Sequence, residues 1–258
     1  MNGRTLFALP LLLAAVPAMA QDEPTTRTRV ALGPQLVPTY PGADKVSLRP
    51  LVDVSRADGD EDFAFEAPDE SFGIALVQTD AVAFGPSLGF QGKRRARDVG
   101  AALPEVGFTV EVGGFAELQV APAFRLRGEV RKGLGGHRGW IGTIGADYVA
   151  RDRDLWLVSI GPRVTLSDTR YHRAYFGVSP ASATATGVPA FDARGGVQAV
   201  GAVLGAIRQL SPRWGLYGYA KYDRLVRDAA DSPVTRRFGS RNQLSGGLAL
   251  TYTFDGGF

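Results

Sequence analysis

Apolar and polar side chains alternate along residues 108–120, and this pattern constrains the fold more than any other feature of the chain. The even positions of this stretch are mostly apolar, and the odd positions include Glu111 and Glu117. Residues 124–131 repeat the pattern, with arginine or glutamate at every odd position. A period of two is typical of a β-strand with one apolar face. The pair, joined at Ala121-Pro122, predicts an antiparallel hairpin.

Similar segments recur along most of the chain, and no convincing period of 3.6 follows the first twenty residues. They cover residues 28–38, 46–56, 62–67, 71–78, 81–91, 140–149, 155–166, 171–178, 195–208, 214–225 and 243–254. Most are near the 9 to 11 residues that a tilted strand needs to cross a membrane, whereas soluble strands average about 5 to 6. We therefore predict an all-β protein, a closed antiparallel transmembrane β-barrel of about 12 strands, with 10 to 14 compatible. A secreted β-sandwich is the alternative.

The first twenty residues are typical of an export signal. Arg4 is followed by an apolar stretch over residues 6–16, and Ala18-Met19-Ala20 forms a small-residue cleavage site. The apolar stretch is too short for a membrane-spanning helix. We expect a signal peptide over residues 1–20 and a barrel over residues 21–258, exported through the periplasm to the cell outer membrane.

Composition excludes several other classes of protein. The 29 Lys+Arg nearly balance the 26 Asp+Glu, and the basic residues are scattered, which argues against nucleic-acid binding. The chain has 0 Cys, so it has neither a disulfide nor the cysteine that a lipoprotein needs. Glycine is abundant, with 33 residues and no collagen period. We expect the lipid of the outer membrane, and no nucleic acid, among the partners of this chain.

The last segment has the form of an assembly signal for outer-membrane barrels. Apolar or aromatic residues occupy alternate positions from Leu244 onward, and Tyr252, Phe254 and Phe258 continue that parity. An alternating strand that ends in an aromatic residue suits recognition by strand pairing. The expected partner in this step is the barrel assembly machinery.

The polar parity of the strands carries charges of both signs. These candidate lumen charges are Glu111, Glu117, Arg125, Arg127, Glu129, Asp147, Arg163, Lys221 and Asp223. Opposite charges can pair across strands and fill a narrow interior, or they can line a small channel. The diameter of a barrel grows with its strand number, and about twelve strands are compatible with both.

Catalysis by a histidine has little support in the sequence. His137 lies in a glycine-rich stretch, residues 132–139, that is typical of a turn. His172 could pair with Ser167 or Ser159 in an outer-membrane acyl hydrolase, and we keep this as a minor alternative. No G-x-S-x-G elbow and no metal-ligand spacing accompanies either histidine. We expect no enzyme activity, no cofactor and no metal.

Several short segments together resemble the MipA/OmpV family of outer-membrane proteins. They are Pro38-Thr39-Tyr40-Pro41-Gly42-Ala43-Asp44, Gly85-Pro86-Ser87-Leu88-Gly89-Phe90, Glu111-Val112-Gly113-Gly114-Phe115-Ala116-Glu117, Tyr175-Phe176-Gly177-Val178 and residues 224–234. The resemblance implies an outer-membrane barrel without catalytic residues. In the family's namesake, the MltA-interacting protein, it implies a scaffold that links a murein lytic transglycosylase to a penicillin-binding protein in peptidoglycan remodelling.

The family-motif loop includes Asp228, Asp231, Ser232 and Pro233. A serine followed by proline favours a capped turn, because the hydroxyl bonds the local backbone and proline restricts φ. We expect this loop to have a structural role in shaping the local backbone. Binding of a partner is the alternative. A small passive channel remains the second hypothesis for the whole protein.

Overall fold

The computed structural model describes residues 26–255, where twelve strands form one antiparallel sheet. The predicted all-β class and the number of about twelve strands are confirmed. The predicted signal peptide over residues 1–20 and Phe258 lie outside the described residues. The strands are β1 (Thr26–Pro38), β2 (Val46–Asp58), β3 (Phe72–Gly73), β4 (Val77–Gln78), β5 (Val82–Gln91), β6 (Thr109–Ala121), β7 (Phe124–Gly135), β8 (Trp140–Asp152), β9 (Trp156–Ser167), β10 (Gly196–Gln209), β11 (Trp214–Leu225) and β12 (Asn242–Asp255).

Neighbours in the sheet are mostly neighbours in sequence. The order is β2-β1-β12-β11-β10-β9-β8-β7-β6-β5-β3, and β4 also pairs with β5. The first and last long strands therefore lie side by side, with Val30 opposite Tyr252. The sheet curls so that residues distant in sequence meet in its interior, which we call the lumen.

The two rims of the curled sheet differ. One rim, the turn rim, has short connections at residues 122–123, 153–155 and 210–213. The other, the loop rim, has longer connections that contain the short helices α1 (Ala96–Val99), α2 (Thr169–Tyr175), α3 (Pro180–Thr186), α4 (Arg227–Asp231) and α5 (Pro233–Phe238). No helix among residues 26–255 is long and apolar enough to cross a membrane.

The outer face of the sheet is apolar and the inner face is polar. Leu48 and Leu248 are each 71% exposed, and neighbouring strands show the same outward stripe of aliphatic residues. Charged residues such as Glu111 and Arg125 are buried inside. A soluble β-sandwich buries its apolar faces between two sheets, so the sandwich alternative is wrong.

Two predicted strands are not strands. Residues 171–178 fall largely in α2, because the Asp168 carboxylate accepts a hydrogen bond from the Tyr171 N–H at 2.8 Å and caps the helix. Residues 62–67 have no partner strand within residues 26–255 and run through the lumen, where residues 68–69 form a turn. The short helices at the loop rim were also not predicted.

The sheet has two free ends, at β2 and at β3. The segment of residues 72–78, which contains β3 and β4, pairs irregularly with β5, since Gly73 is opposite Ser87 but Val77 is opposite Phe84. Within residues 26–255 no ladder joins β2 to this segment. The predicted closure by strand pairing is therefore not confirmed.

A hydrophobic core lies among the loops of the loop rim, and we call this region the cap. Tyr40, Tyr175, Phe176 and Val234 are almost fully buried in it, together with Ala229. These residues come from three different connections between strands. The cap therefore covers the loop-rim end of the lumen.

Candidate functional site in the lumen

The segment after β2 turns inward and occupies the lumen, and we call residues 59–71 the plug. Near the turn rim, the Phe63 ring lies 5.0 Å from the Arg27 guanidinium and 4.2 Å from that of Arg29. The Phe63 carbonyl accepts a hydrogen bond from Arg151 at 2.9 Å, and the Phe65 carbonyl accepts one from Arg125 at 3.1 Å. Arginines on the strands, which form the wall of the lumen, thus donate hydrogen bonds to backbone carbonyls of the plug that have no strand partner.

The deepest part of the plug is held by ion pairs. Asp69 lies 3.1 Å from both Arg163 on β9 and Lys221 on β11. Glu70 pairs with Arg125 and lies 3.5 Å from Arg127. These wall residues are separated by roughly 55 to 150 positions from the plug, so only the curled sheet brings them together.

All nine candidate lumen charges face the lumen and take part in ion pairs. Asp147, only 2% exposed, is central because it contacts Arg125 at 3.0 Å and Arg163 at 2.7 Å. Glu129 lies 3.0 Å from Arg127 and also accepts a 2.6 Å hydrogen bond from Ser71 of the plug. The ion pairs therefore connect the strands to each other and to the plug.

Two glycines make room for this arrangement. A Cβ at Gly145 would lie 2.8 Å from Arg163 Nη1, and a Cβ at Gly205 would lie 2.9 Å from the Pro68 ring of the plug. Any side chain at these positions would displace the guanidinium or the plug. Part of the high glycine content thus serves close packing inside the lumen.

Sequence reasoning missed three members of the network. They are Asp69 and Glu70 of the plug and Arg131 of β7, which has the parity of the other charged residues on its strand. Arg131 pairs with Glu111 at 2.9 Å and also with Glu129. Its parity alone could have identified it, whereas no local signal distinguishes the plug from a turn.

The family-motif loop contributes to the cap. The Ser232 hydroxyl donates to the Phe176 carbonyl at 2.6 Å and accepts from the Val234 N–H at 3.1 Å, so it caps α5. Pro233 occupies the first turn of that helix. Asp228 accepts a hydrogen bond from the Arg194 N–H at 2.8 Å, and exposed Asp231 pairs with Arg241 at 3.0 Å.

We expect Ser232→Ala to loosen the cap. The change removes the cap of α5 and leaves the buried Phe176 carbonyl without its hydrogen-bond donor. We expect the cap to lose about 1 to 3 kcal/mol of folding free energy. Faster cleavage of residues 226–241 by a protease at neutral pH would report it. Ser179→Ala is the matched control, because Ser179 caps α3, which buries no residue. Equal cleavage of the two variants would contradict this role of Ser232.

Both histidines lie in the loop-rim region. His137 is buried, its Nε2 lies 3.0 Å from Glu111 Oε1, and its Nδ1 accepts the Gly139 N–H at 3.0 Å. His172, on α2, packs edge-on against Phe176 at 5.4 Å. The Ser167 hydroxyl donates to Gln198 at 2.7 Å. Neither Ser167 nor Ser159 is hydrogen-bonded to His172 in the part of the chain described, so the geometry of the hydrolase alternative is not formed.

The cap should lose stability in mild acid. Burial lowers the pKa of His172, and the nearby Asp228 and Asp168 only partly oppose this. An unfolded loop binds a proton on histidine with a pKa of about 6.5. Because the folded cap binds it less readily, stability should fall as the pH drops below that value towards the lower folded pKa.

Thermal unfolding of the cap measures this effect. It can be followed by the near-ultraviolet circular dichroism of the buried tyrosines. We expect a lower midpoint at pH 5.0 than at pH 7.5 and a smaller difference in His172→Gln. An unchanged difference in that variant would assign the acid sensitivity to other groups.

Two of the predicted assembly residues, Tyr252 and Phe254, lie on the outer face of β12 near the turn rim. The Tyr252 ring contacts Trp214 edge-on at 4.7 Å and Phe254 at the same distance. These side chains form an aromatic cluster at the end of the last strand. In the described residues, no group of three or more side chains could hold a metal ion.

An antiparallel sheet with an aliphatic outer face and an ion-paired interior defines an outer-membrane β-barrel protein. A family model supports this class along most of the chain. The protein belongs to the family described as MltA-interacting protein MipA, whose model matches residues 30–254. The predicted family is thus confirmed. No curated protein matches the sequence significantly.

Solved structures of outer-membrane proteins show a distant likeness. An outer-membrane channel of Pseudomonas putida F1 matches with 11% identity, 93% coverage of this chain, 100% coverage of the channel and a TM-score of 0.38. The CymD monoaromatic hydrocarbon channel matches with 9% identity, 91% and 89% coverage and a TM-score of 0.37. The outer membrane protease OmpT of Escherichia coli matches with 11% identity, 92% and 99% coverage and a TM-score of 0.27. Likeness at this level carries no inference about the activity of this chain.

Proposed function

We propose that this protein is a plugged, non-enzymatic barrel of the outer membrane that acts as a scaffold for enzymes of peptidoglycan remodelling. In this proposal residues 1–20 direct export, and the barrel assembly machinery inserts the chain. The family description, an MltA-interacting protein, supports a murein lytic transglycosylase as one partner. A penicillin-binding protein is the second partner that the family resemblance implies.

The observation that carries the proposal is the filled lumen. Asp69 and Glu70 of the plug pair with Arg163, Lys221 and Arg125 of the wall, and the cap covers one end. A barrel whose interior is held by such pairs is a rigid membrane anchor and is poorly suited to passing solutes. Its function then depends on its surfaces.

Co-purification from solubilised membranes of the native organism tests the scaffold role. Tagged protein should recover a murein hydrolase and a murein synthase well above the amount bound by an unrelated barrel of similar size. Recovery no greater than that of the control barrel would reject the scaffold role for this protein.

A small channel is the second candidate, and the polar nature of the plug contacts favours it. The plug is held by ion pairs and carbonyl hydrogen bonds more than by apolar packing, so its displacement would expose a charged lumen. Planar bilayer recordings distinguish the two functions. A plugged scaffold should show no reproducible conductance steps, whereas a channel should show steps of uniform size.

A further inference from the structure

A shallow groove lies on the outer face of the sheet, where β2, β1, β12 and β11 run side by side, and we call it the outer groove. Its volume is about 730 Å³, within the range of roughly 300 to 1,000 Å³ typical of sites for small molecules. Its floor consists of outward residues with small or compact side chains, Pro34, Ala220 and Gly246. Its sides are large aliphatic residues, Leu36, Val46, Leu48, Leu244 and Leu248. The depression thus results from small outward residues on three neighbouring strands.

The residues that line the outer groove are uncharged. Two polar lining residues, Gln35 and Tyr219, have the inward parity of their strands, and the Tyr219 hydroxyl donates to the Gln35 side chain. Just before β2, Asp44 and Lys45 are exposed and carry opposite charges. A hydrocarbon chain can therefore fill the groove without leaving a buried polar atom unpaired.

Arg224 lies at the loop-rim end of the outer groove. Asn242 precedes Leu244 of the groove by two residues on the same face of β12, which places it about 7 Å closer to the loop rim. Arg224 is opposite Asn242 in the ladder between β11 and β12, and Tyr222 is opposite Leu244. Arg224 Nη1 donates to Asn242 Oδ1 at 3.0 Å, and the Tyr222 hydroxyl donates to the same oxygen at 2.8 Å. The three polar side chains therefore form one cluster above the groove.

Most donors of this cluster are free. Arg224 is exposed and makes no ion pair with a carboxylate in residues 26–255. A guanidinium has five N–H donors, and the bond to Asn242 uses one of them. Because both neighbours donate to Oδ1, the Asn242 Nδ2 group is left as a donor, and it has no acceptor in the described part of the chain. The cluster thus offers several N–H groups to an acceptor at the end of the groove.

The charges around this cluster favour an anion. Arg241, the residue before Asn242, pairs with Asp231 at 3.0 Å, so that carboxylate already has a partner. Asp223 has the inward parity of β11 and pairs with Lys221 at 3.1 Å. Arg224 is the cation that these pairings leave at the end of the groove.

We propose that the outer groove binds one acyl chain of a phosphorylated lipid, and that Arg224 and the Nδ2 group of Asn242 bind its phosphate. Arginine suits this role because its planar guanidinium donates two parallel hydrogen bonds to a phosphate. Tyrosine is typical of the membrane interface, and here Tyr222 fixes the orientation of the Asn242 amide. Arg224 is also the first residue of the family-motif segment, residues 224–234. This binding goes beyond the scaffold role and does not depend on it.

Native mass spectrometry of the full-length protein, released from nanodiscs, tests the phosphate site. The nanodiscs contain phosphatidylcholine and a minor fraction of dioleoyl phosphatidic acid, whose head is a phosphate monoester. We expect the barrel to retain one phosphatidic acid in preference to phosphatidylcholine. Arg224→Gln should weaken this retention about tenfold or more, the range for hydrogen bonds between charged groups.

Lys132→Gln is the matched control, because it removes the same charge from the outer face at the loop rim. Lys132 lies outside the groove, 5.1 Å from the Trp140 ring. Equal loss in Lys132→Gln and Arg224→Gln, or equal retention of the two lipids by the unaltered protein, would overturn the proposal.

Ala220→Leu tests the acyl-chain site separately. The larger side chain fills the floor of the groove without entering the lumen, and excluding even two methylene groups corresponds to about tenfold weaker retention. Ala116→Leu, on the outer face of β6 and outside the groove, should leave retention unchanged. Glycerol phosphate bound as tightly as phosphatidic acid would show that the groove holds no chain. A dimer that disappears in Ala220→Leu would assign the groove to a second copy of this protein and overturn the proposal.

Discussion

Asp147→Ala is expected to destabilise the barrel by about 3 to 5 kcal/mol, the usual effect of removing one partner from a buried ion pair. Asp147 is central because its two carboxylate oxygens contact different arginines, Arg125 at 3.0 Å and Arg163 at 2.7 Å. The substitution would leave both guanidinium groups without this acceptor in a nearly dry interior. The temperature at which the folded barrel loses its fast mobility on a gel measures the effect.

Asp152→Ala is the control for this experiment. Asp152 lies on the same strand, β8, but is exposed at the turn rim, and such surface changes usually stay within about 0.5 kcal/mol. Similar unfolding temperatures of the two variants would show that the lumenal network contributes little to stability.

The double variant Asp69→Asn with Glu70→Gln is expected to release the plug. Both substitutions keep the size of the side chain but remove the charges that pair with Arg163, Lys221 and Arg125. Removing one partner of a buried ion pair destabilises the plugged state by more than about 1.4 kcal/mol. That free energy corresponds to a factor of ten in the equilibrium between the plugged and the open lumen. In planar bilayers the double variant should show reproducible conductance steps, for a fraction of the time at least about tenfold above the background recorded with the unaltered protein.

Asp62→Asn provides a matched control within the plug. Asp62 is exposed near the turn rim and lies 3.5 Å from Arg151, so its loss should leave conductance unchanged. If the double variant folds and conducts no more than this control, the cap alone closes the lumen and the plug does not act as a gate.

The alternating pattern was sufficient to predict strand positions and faces, because alternation is a local property of an extended chain. Segments such as residues 108–120 and 214–225 lie within one residue of the observed strands. The same parity placed Glu111, Arg127 and Asp223 on the lumenal face, where the structure has them. The motif residues Ser232 and Pro233 suited a capped turn, and they begin α5.

Residues 171–178 and 62–67 were assigned as strands on equally apolar patterns, and the fold decided otherwise. Tyr171 and Tyr175 look like alternate strand residues at short range, but they are buried on one side of α2 in the cap. A short apolar run does not distinguish helix from strand. Whether residues 171–178 form a helix or a strand depended on the surrounding loops of the cap, which bury one side of α2.

By itself, the sequence determined the β class, the approximate strand number, the apolar outer face and the charged inner face, because each depends only on the spacing of neighbouring residues. Only the tertiary structure decided that residues 59–71 enter the lumen, that Asp69 meets Arg163 and Lys221, and that β2 has a free edge. These features depend on the curvature and register of the whole sheet, which bring together side chains that no short pattern connects.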